Sequence, residues 1–313
     1  MKPLVLFCPE MTHVADKLRE LLGLRVELGE VRWGHFGNGW PNVCIENAAA
    51  VKGRDVVFLA SFDAPANTIE QLGLIYAMKF YGARVLDVWL PFYPTGTQER
   101  IVEYGEIVTA KTLARMISAT PRLASGEAAK FHIYDIHAEA EAFFFGDSVQ
   151  YSPHTAMPLF RRELANLPNI GNIIPAFPDT GAVKRFGRLL PEFTRPVVYH
   201  KVRHGNDVNL VLVEGDPAHR DVWIIDDIAR SCGTILACKD DLLARDAASV
   251  SVFFVHGECP GGSWKKLLDT GFTNAWMTDS CPTTVQAVEG KDPFRILSLA
   301  PELKELIYQQ SIA

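Results

Sequence analysis

Two adjacent carboxylates followed by a short polar loop are the clearest chemical signal in this sequence of 313 residues. In VWIIDDIARSCGTILACKDDLL, an apolar run precedes Asp226 and Asp227, and residues 230–234 lead into a helix-like segment. A helix N-terminus binds phosphate through free backbone N–H groups, to which the hydroxyls of Ser231 and Thr234 add donors. The two carboxylates could hold sugar hydroxyls or a hydrated Mg²⁺ ion. The alternative is an ordinary strand-to-helix turn with capping residues.

Three further groups of charged residues stand at the ends of apolar runs. In YDIHAE, Asp135 and His137 are two residues apart, so in an extended chain both side chains could meet one metal ion or its waters. In AFPDTGA a tight turn presents Asp179, and in YHKVRHG Lys201 and Arg203 alternate on one face. Positioned cations of this kind stabilise the charge of transferring phosphates. The plainer interpretations are loop hydrogen bonds, a turn aspartate bonded to its own backbone and a solvated charged strand.

The elements that must position these residues alternate along the chain. Short runs rich in Val, Ile and Phe, such as DVVFLASF, DVWIIDD and SVSVFFVHG, are typical of parallel strands that are covered on both faces. Helix-like segments such as THVADKLRELLG and GTILACKDDLLARDAA lie between them. We therefore predict an α/β fold with a doubly wound, mostly parallel sheet.

The chain length and the distribution of turn residues predict two domains. The segment DSVQYSPHTAM, residues 147–157, interrupts the pattern with turn and polar residues. We expect a first domain at residues 1–150 and a second domain, which carries the candidate phosphate loop, at residues 151–299. Residues 300–313 are expected to form a helix that could pack back on the first domain, with Pro301 at its start.

Composition and charge exclude several classes of protein. The chain is 48% apolar and 22% charged, which is typical of a globular protein and excludes disorder and collagen. With 31 basic and 37 acidic residues the net charge is −6, and this argues against nucleic acid as the main partner. Six cysteines without a C-x-x-C pair predict reduced thiols. No apolar run approaches the ~18 residues of a membrane helix, so we expect a cytoplasmic protein without a membrane partner.

Taken together, these motifs are similar to those of one enzyme family. The stretch around Asp226 resembles the phosphate loop of type I phosphoribosyltransferases and of ribose-phosphate pyrophosphokinases, in which two acids precede the loop. The second family is favoured by further segments, namely WGHFGNGWPNVCIENAAAVKGRDVVFLASF, PFYPTGTQER, FHIYDIHAEAEAFFFGDSV, NIIPAFPDTGAVKRF and HKVR. In the forms PFYPTGTQER, DIHA and HKVR, the chain resembles most closely the plant-type class II enzymes.

The resemblance implies two similar phosphoribosyltransferase-like domains, each a mostly parallel sheet flanked by helices. It also implies Mg²⁺-dependent transfer of the diphosphoryl group of ATP to the 1-hydroxyl of ribose 5-phosphate, giving phosphoribosyl pyrophosphate and AMP for nucleotide biosynthesis. The expected assembly is a homo-oligomer with nucleotide sites at subunit interfaces. Two alternatives stay open. One is a non-catalytic regulatory or scaffold paralogue. The other is a phosphoribosyltransferase, which is less favoured because one such domain needs fewer than 313 residues and leaves DIHA and HKVR without a role.

The resemblance assigns roles to individual residues. The expected catalytic cations are Lys201 and Arg203. The residues expected to position Mg²⁺, directly or through waters, are His137, Asp179 and Asp135. The residues expected to bind ATP are Phe36, Asn38, Gly39, Trp40, Gln98 and Arg100. The residues expected to bind ribose 5-phosphate are Asp226, Asp227, Arg230, Ser231, Cys232, Gly233 and Thr234. A plain β-turn is the alternative for residues 36–40, because glycine and asparagine are strong turn formers.

Two residues of the phosphate loop depart from the family pattern. Arg230 stands where most relatives carry an acid or an amide, and Cys232 stands where they carry Gly or Ala. The sulfur of Cys232 could crowd the approach of the backbone to a phosphate. Arg230 could instead add a charge-assisted bond to the anion, worth ~1.5–3 kcal/mol. The two substitutions either offset one another or mark a non-catalytic paralogue.

Overall fold

The computed structural model describes residues 1–204 and 207–312, which fold into two compact units. Unit 1 comprises Met1–His154 together with the segment from Ser298 onward, and unit 2 comprises Thr155–Leu297. The two units divide between residues 154 and 155. The boundary expected from the sequence lies four residues earlier, between residues 150 and 151.

Unit 1 is built on a six-stranded parallel sheet with strand order β2-β1-β5-β6-β7-β8. The strands, including a separate antiparallel hairpin formed by β3 and β4, are β1 (Leu4–Phe7), β2 (Glu27–Leu28), β3 (Val31–Arg32), β4 (Cys44–Ile45), β5 (Asp55–Leu59), β6 (Val85–Trp89), β7 (Ala129–Tyr134) and β8 (Val149–His154). The helices are α1 (Thr12–Leu22), α2 (Pro65–Phe80) and α3 (Thr109–Ser118). Val5, Leu6 and Phe58 are fully buried, as expected for parallel strands covered on both faces.

The edge strand β8 is a departure from the sequence-based expectation. Its sequence, VQYSPH, lies in the segment that we expected to interrupt the alternating pattern, and it pairs in parallel with β7 instead. An edge strand tolerates Pro153 and exposed polar residues because one side of its backbone makes no ladder hydrogen bonds. The mixture of apolar and polar residues in VQYSPH is therefore why the sequence did not predict β8.

Unit 2 is built on a seven-stranded sheet with strand order β11-β10-β9-β12-β13-β14-β15, parallel except for the β10–β11 hairpin. The strands are β9 (Ile173–Phe177), β10 (Val197–His204), β11 (Asp207–Glu214), β12 (Asp221–Ala229), β13 (Ser249–Gly257), β14 (Ala275–Thr278) and β15 (Phe294–Leu297). The helices are α4 (Met157–Leu164), α5 (Thr180–Phe186), α6 (Gly233–Ala244) and α7 (Pro282–Val288). The predicted α/β class is confirmed. The last helix, α8 (Ala300–Ile312), belongs to unit 1 and packs against α1.

Aromatic packing on one face of the second sheet fixes the central strands β12 and β13. Phe160 of α4 stacks on Phe253 with ring centroids 4.3 Å apart, and Trp223 meets Trp276 edge-on at 4.5 Å. Such pairs contribute ~0.5–1.5 kcal/mol each beyond their area burial. The residues that follow β12 are therefore held on a rigid base.

A chain of polar side chains lies on the sheet of unit 1. His132 Nε2 is 2.8 Å from Asp87 Oδ1, and His132 Nδ1 is 2.9 Å from His154 Nε2. Tyr134 stacks on the His154 ring. Burial, together with the neighbouring His132, lowers the pKa of His154 to about 4. The folded protein therefore holds His154 in its neutral form near pH 7.

Candidate active site

The predicted phosphate loop is a strand-loop-helix junction in unit 2. β12 ends at Ala229, α6 begins at Gly233, and Cys232 is the N-cap residue with φ 60° and ψ 0°. α6 is 12 residues long, so its N-terminus offers free backbone donors and the positive end of a helix dipole. The sequence-based expectation for this junction is confirmed.

The two adjacent carboxylates lie inside β12, not after its end as we expected. The strand continues because its register with β13 extends beyond them: Asp226 lies opposite Phe254, and Ala229 lies opposite Gly257. Asp226 is partly exposed, and its carboxylate accepts a hydrogen bond from the Asp227 backbone N–H at 2.9 Å.

Asp227 is buried and pairs with a residue that the sequence did not indicate. Its Oδ2 lies 2.9 Å from Arg185 Nη1, and Arg185 stands in the last turn of α5. The available signal was weak: α5 begins within the PDTG segment and carries two basic residues, Lys184 and Arg185, in its last turn. Arg185 compensates the buried negative charge of Asp227.

Asp179 adds a third carboxyl group to this region. It is the N-cap of α5, where its side chain accepts the Ala182 backbone N–H at 2.8 Å. The pKa of Asp226 is raised well above its ordinary range by burial and then by the charges of Asp227 and Asp179. Asp179 is therefore both a helix cap and an electrostatic neighbour of Asp226.

Lys201 reaches the phosphate loop from the β10–β11 hairpin. Its Nζ donates a hydrogen bond to Thr234 Oγ1 at 3.0 Å, at the start of α6. The backbone of Arg203 pairs with Val208 in the same hairpin. The side chain of Arg203 lies outside the part of the chain that the structure describes. One of the two expected catalytic cations is thus beside the expected sugar-phosphate site.

The carbonyl side of the loop is held by a 3-10 helix at Pro260–Leu267. The Ser263 hydroxyl donates to the Arg230 carbonyl, and Lys266 Nζ donates to the Ser231 carbonyl at 3.1 Å. Neither supporting residue was indicated by the sequence, because nothing in GECPGGSWKKL marks a partner for another loop. Backbone carbonyls held on one side keep the loop in a fixed conformation.

Arg230 pairs within the protein. Its Nε lies 2.7 Å from Glu258 Oε2, and its side chain is 45% exposed. We expected this guanidinium to gain a bond to the bound anion. The contact with Glu258 gives it a protein partner, and its part in anion binding stays a prediction.

Cys232 does not place its sulfur on the exposed side of the loop. The residue is 3% exposed and belongs to the apolar core of unit 2, while its neighbours Ser231 and Gly233 are exposed. Its positive φ turns the side chain inward, a backbone conformation that non-glycine residues rarely adopt. The crowding that we expected from its sulfur is therefore not what the structure shows.

The predicted adenine-side residues of unit 1 form a turn at the tip of the β3–β4 hairpin. The Phe36 N–H donates to the Trp40 carbonyl at 2.8 Å, and the Gly39 N–H donates to the Phe36 carbonyl at 2.8 Å. Asn38 Oδ1 accepts the Trp40 N–H at 3.2 Å. Phe36 is 56% exposed and Trp40 64% exposed. The turn is confirmed, and it presents two aromatic side chains to solvent.

The second predicted nucleotide segment lies beside His137. Gln98 and Arg100 are exposed at and just after the 3-10 helix Gly96–Gln98, and Arg100 Nε is 3.4 Å from Glu99. A Cβ at Gly96 would lie 3.2 Å from the His137 Cβ, which is a tight contact, so glycine favours this close approach. Unit 1 thus brings the segment at 96–100 together with His137.

The relation that we expected between Asp135 and His137 was wrong. β7 ends at Tyr134, and Asp135 has φ 37°, so the chain is not extended through the pair. Asp135 is 8% exposed and His137 is exposed. Alternation of side chains holds only in an extended strand, which is why the spacing argument failed.

Two features are absent from residues 1–204 and 207–312. Among these residues, no group of three or more His, Cys, Asp or Glu side chains is arranged to hold a metal ion. Within the same ranges, no helix has the length and apolar character that crossing a membrane requires.

Similarity to known proteins identifies the class of enzyme. A family model described as the N-terminal domain of ribose phosphate pyrophosphokinase matches residues 5–120. The rice protein "Ribose-phosphate pyrophosphokinase 3, chloroplastic" (Oryza sativa subsp. japonica) is 41% identical, over 95% of this chain and 74% of its own length. The rice "Ribose-phosphate pyrophosphokinase 4" is 39% identical, over 96% of this chain and 94% of its own.

The chain belongs to the ribose-phosphate pyrophosphokinase family, and the predicted similarity to the plant enzymes is confirmed. The crystal structure of phosphoribosylpyrophosphate synthetase from Mycobacterium smegmatis shares the fold, with a TM-score of 0.83, 21% identity and 99% coverage of both chains. The spinach relative (Spinacia oleracea), 39% identical over 96% of this chain and 75% of its own length, is named as mitochondrial. The cytoplasmic location expected from the sequence stays a prediction.

Proposed function

We propose that this protein transfers the β,γ-diphosphoryl group of ATP to the 1-hydroxyl of ribose 5-phosphate, giving phosphoribosyl pyrophosphate and AMP. In this reaction the sugar oxygen bonds to the β-phosphorus, and AMP leaves with the bridging oxygen. The observation that carries the proposal is the 3.0 Å contact between Lys201 Nζ and Thr234 Oγ1. It brings a cation to the N-terminus of α6, where a phosphate-bearing sugar would bind.

The sugar-phosphate side of the proposed site consists of the loop at 230–234 and the carboxylates of β12. Backbone N–H groups of the loop, with the hydroxyls of Ser231 and Thr234, would hold the 5-phosphate. The Asp226 carboxylate is partly exposed and accepts bonds readily, so it would orient the ribose hydroxyls. Asp227 is buried against Arg185, and we assign it the supporting task of fixing this end of β12.

The nucleotide side of the proposed site belongs to unit 1. The exposed aromatic rings at the hairpin tip, Phe36 and Trp40, suit stacking on a planar base. Gln98 and Arg100 are exposed and would meet polar and phosphate groups of ATP. By resemblance to the family, the hairpin tip would serve the nucleotide site of a neighbouring subunit in a homo-oligomer.

The carboxyl groups of the site fit a magnesium ion. Mg²⁺ takes one or two protein carboxylates and completes its shell with waters and substrate phosphates, so it does not need a cluster of three protein ligands. Burial, and then the acidic neighbours Asp227 and Asp179, raise the pKa of Asp226, and a bound cation would favour its charged form. In unit 2, Asp226 and Asp179 would hold an ion, directly or through waters. In unit 1, the family resemblance assigns a metal role to His137, which is exposed, and to Asp135, which is buried. When bound, Mg²⁺ supplies charge neutralisation on the phosphate oxygens.

The test is product analysis by ³¹P NMR with ATP, Mg²⁺ and ribose 5-phosphate. The proposal expects AMP and phosphoribosyl pyrophosphate to form in equal amounts and only when the sugar is present. ADP as the product, or turnover independent of the sugar, would contradict it. Binding of ribose 5-phosphate without turnover would favour the non-catalytic paralogue instead.

A further inference from the structure

Two cysteine thiols meet beneath the phosphate loop. Cys232 Sγ lies 4.0 Å from Cys259 Sγ, and both residues are free cysteines. Cys232 is 3% exposed and Cys259 is 4% exposed. A disulfide joins its sulfurs at about 2.05 Å, so these two need to approach one another by about 2 Å.

Both thiols are attached to fixed backbone positions. Cys232 follows β12, and Cys259 follows β13, two strands paired in register as far as Ala229 and Gly257. The Cys259 N–H donates to the Ala229 carbonyl at 3.0 Å, which joins the two strand ends directly. The pair is therefore held close by the sheet and does not depend on a chance encounter of flexible segments.

The surroundings make the two thiols unequal. The pKa of Cys232 is lowered, first by its hydrogen bond with the Cys259 thiol and then by Ser263 and Lys266. The same hydrogen bond, together with burial, raises the pKa of Cys259. Cys232 is thus the nucleophile of the pair and Cys259 the resolving thiol.

The two thiols are covered, and the loop beside them is exposed. Cys232 is 3% exposed and Cys259 is 4% exposed, whereas Arg230, Ser231 and Gly233 are exposed. A hydroperoxide needs a narrower opening to reach such thiols than a bulky disulfide reagent does. The chemical class of oxidant that fits the site is therefore a small hydroperoxide.

We propose that Cys232 and Cys259 are a reversible redox modification site, oxidised by hydrogen peroxide to a disulfide that weakens sugar-phosphate binding by the loop. The Cys232 thiolate attacks one peroxide oxygen, the O–O bond breaks, and with one proton the products are a sulfenic acid and water. The Cys259 sulfur then attacks the Cys232 sulfur, and the hydroxyl leaves with the Cys259 proton as a second water. Two thiols and one peroxide thus give one disulfide and two waters.

The effect on binding follows from the position of Cys232. Its residue lies within the loop at 230–234, so drawing its sulfur toward Cys259 displaces the backbone donors that would face a phosphate. By linkage, a bound phosphate must in turn oppose disulfide formation by the same factor. This consequence rests on the proposed function, whereas formation of the disulfide does not.

The experiment is disulfide mapping by mass spectrometry of the whole protein after treatment with hydrogen peroxide and alkylation of free thiols. We expect a link between Cys232 and Cys259, its loss on treatment with dithiothreitol, and slower formation with saturating ribose 5-phosphate. Calorimetry should show ribose 5-phosphate binding at least tenfold more weakly to the oxidised protein. Cys259→Ser, or Cys259→Ala if the first variant is unstable, should bind equally well before and after peroxide.

Cys238→Ala is the matched control, because Cys238 is a buried cysteine of α6 that has no part in the proposed pair. This variant should keep the full sensitivity to peroxide. A link from Cys259 to Cys281, oxidation of Cys232 to sulfinic acid alone, or unchanged affinity in the linked protein would overturn the proposal. If the reduced protein fails to bind ribose 5-phosphate, the proposed function fails, and the mapping still decides the disulfide.

Discussion

Three carboxyl groups, Asp179, Asp226 and Asp227, lie in one region of unit 2, and the protein compensates them unevenly. Arg185 pairs with Asp227, and the Ala182 N–H bonds to Asp179. The Asp226 carboxyl is left in an environment that disfavours its charged form, because burial and its acidic neighbours raise its pKa. A cation that arrives with the substrate would stabilise the charged form of Asp226, so the site is suited to binding one.

Removal of the metal should therefore abolish turnover. We expect that incubation with EDTA stops the formation of AMP, and that added Mg²⁺ restores it, because phosphate charge is no longer neutralised. The measurement is the ³¹P NMR assay, with EDTA already saturated with Mg²⁺ as the control. Full activity in metal-free buffer would contradict a magnesium role.

The pair of Asp227 and Arg185 should matter for stability. Arg185→Met leaves the Asp227 carboxylate buried without this cation, and we expect the free energy of unfolding to fall by about 2–3 kcal/mol. Urea denaturation followed by tryptophan fluorescence measures the loss. The control is Arg161→Met, which breaks an exposed pair with Glu192 and should cost less than about 1 kcal/mol.

A second substitution sharpens this prediction. The double variant Arg185→Met with Asp227→Asn should regain part of the lost stability, because the buried charge is removed with its partner. Equal losses in the single and double variants would mean that Arg185 stabilises unit 2 by packing alone.

Lys201 should act mainly on the transition state. We expect Lys201→Ala to lower kcat at least tenfold, which corresponds to ~1.4 kcal/mol of barrier, with a smaller change in the KM for ribose 5-phosphate. Lys184→Ala, an exposed lysine of α5, is the control and should leave kcat unchanged. A loss confined to KM would make Lys201 a substrate-binding residue and not a catalytic cation.

Strands with a continuous apolar run could be predicted from the sequence. The strand ends and the edge strand, which depend on pairing with neighbouring strands, could not. The apolar run before Asp226 and the capping residues before α6 sufficed to predict the strand, the loop and the helix. The end of β12 was misplaced because register with β13 carries the strand through two acids. Strand β8 was missed because an edge position relaxes the demand for apolar residues.

Contacts between segments that are distant along the chain could not be predicted from the sequence. Arg185, Ser263 and Lys266 support the loop from elements that lie between 30 and 50 residues away along the chain. No local pattern encodes such a meeting, since each residue alone looks like an exposed polar side chain. The left-handed φ of Asp135 was likewise not marked by any local pattern in the sequence.

Strands β6, β7 and β8 share a predicted pH dependence through His154. Its pKa is lowered to about 4 from an ordinary value of 6.5, so the folded state favours the neutral ring. The unfolded chain binds the proton more tightly, and this contribution to stability is present above about pH 6.5 and is lost as the pH falls toward 4. We expect a loss on the order of 2 kcal/mol across this window.

The measurement is the free energy of unfolding from urea denaturation at several pH values. His154→Gln should flatten the dependence between pH 6.5 and 4. His219→Asn, at an exposed position with a positive φ that asparagine tolerates, is the control and should keep the wild-type slope. An unchanged slope in His154→Gln would assign the pH dependence to other groups.

For the whole molecule, a net charge of −6 is compatible with the binding of two anionic substrates. The groups proposed to meet phosphate are few and local: the N-terminus of α6, Lys201 in unit 2 and Arg100 in unit 1. Oriented amides and placed cations act over short distances, whereas the distributed surface charge is screened within about 10 Å at moderate ionic strength. The acidity of the chain therefore bears on its metal requirement more than on its affinity for phosphate.

The exposed aromatic tip of the β3–β4 hairpin leads to a prediction about assembly. If the tip of one subunit completes the nucleotide site of another, two inactive variants should complement each other. One variant carries Phe36→Ala and Trp40→Ala, and the other carries Lys201→Ala. In mixed oligomers, random association places an intact tip beside an intact Lys201 in about a quarter of the sites.

Co-expression and tandem purification would provide the mixed oligomers, and the rate of AMP formation per subunit is the measurement. We expect activity near a quarter of the wild-type value, well above the sum of the separate variants. Lys201→Ala mixed with Asp226→Asn is the control: both residues belong to unit 2, so no mixed site is intact and activity should stay at background. Equal, low activity in both mixtures would mean that each subunit binds its nucleotide with its own hairpin.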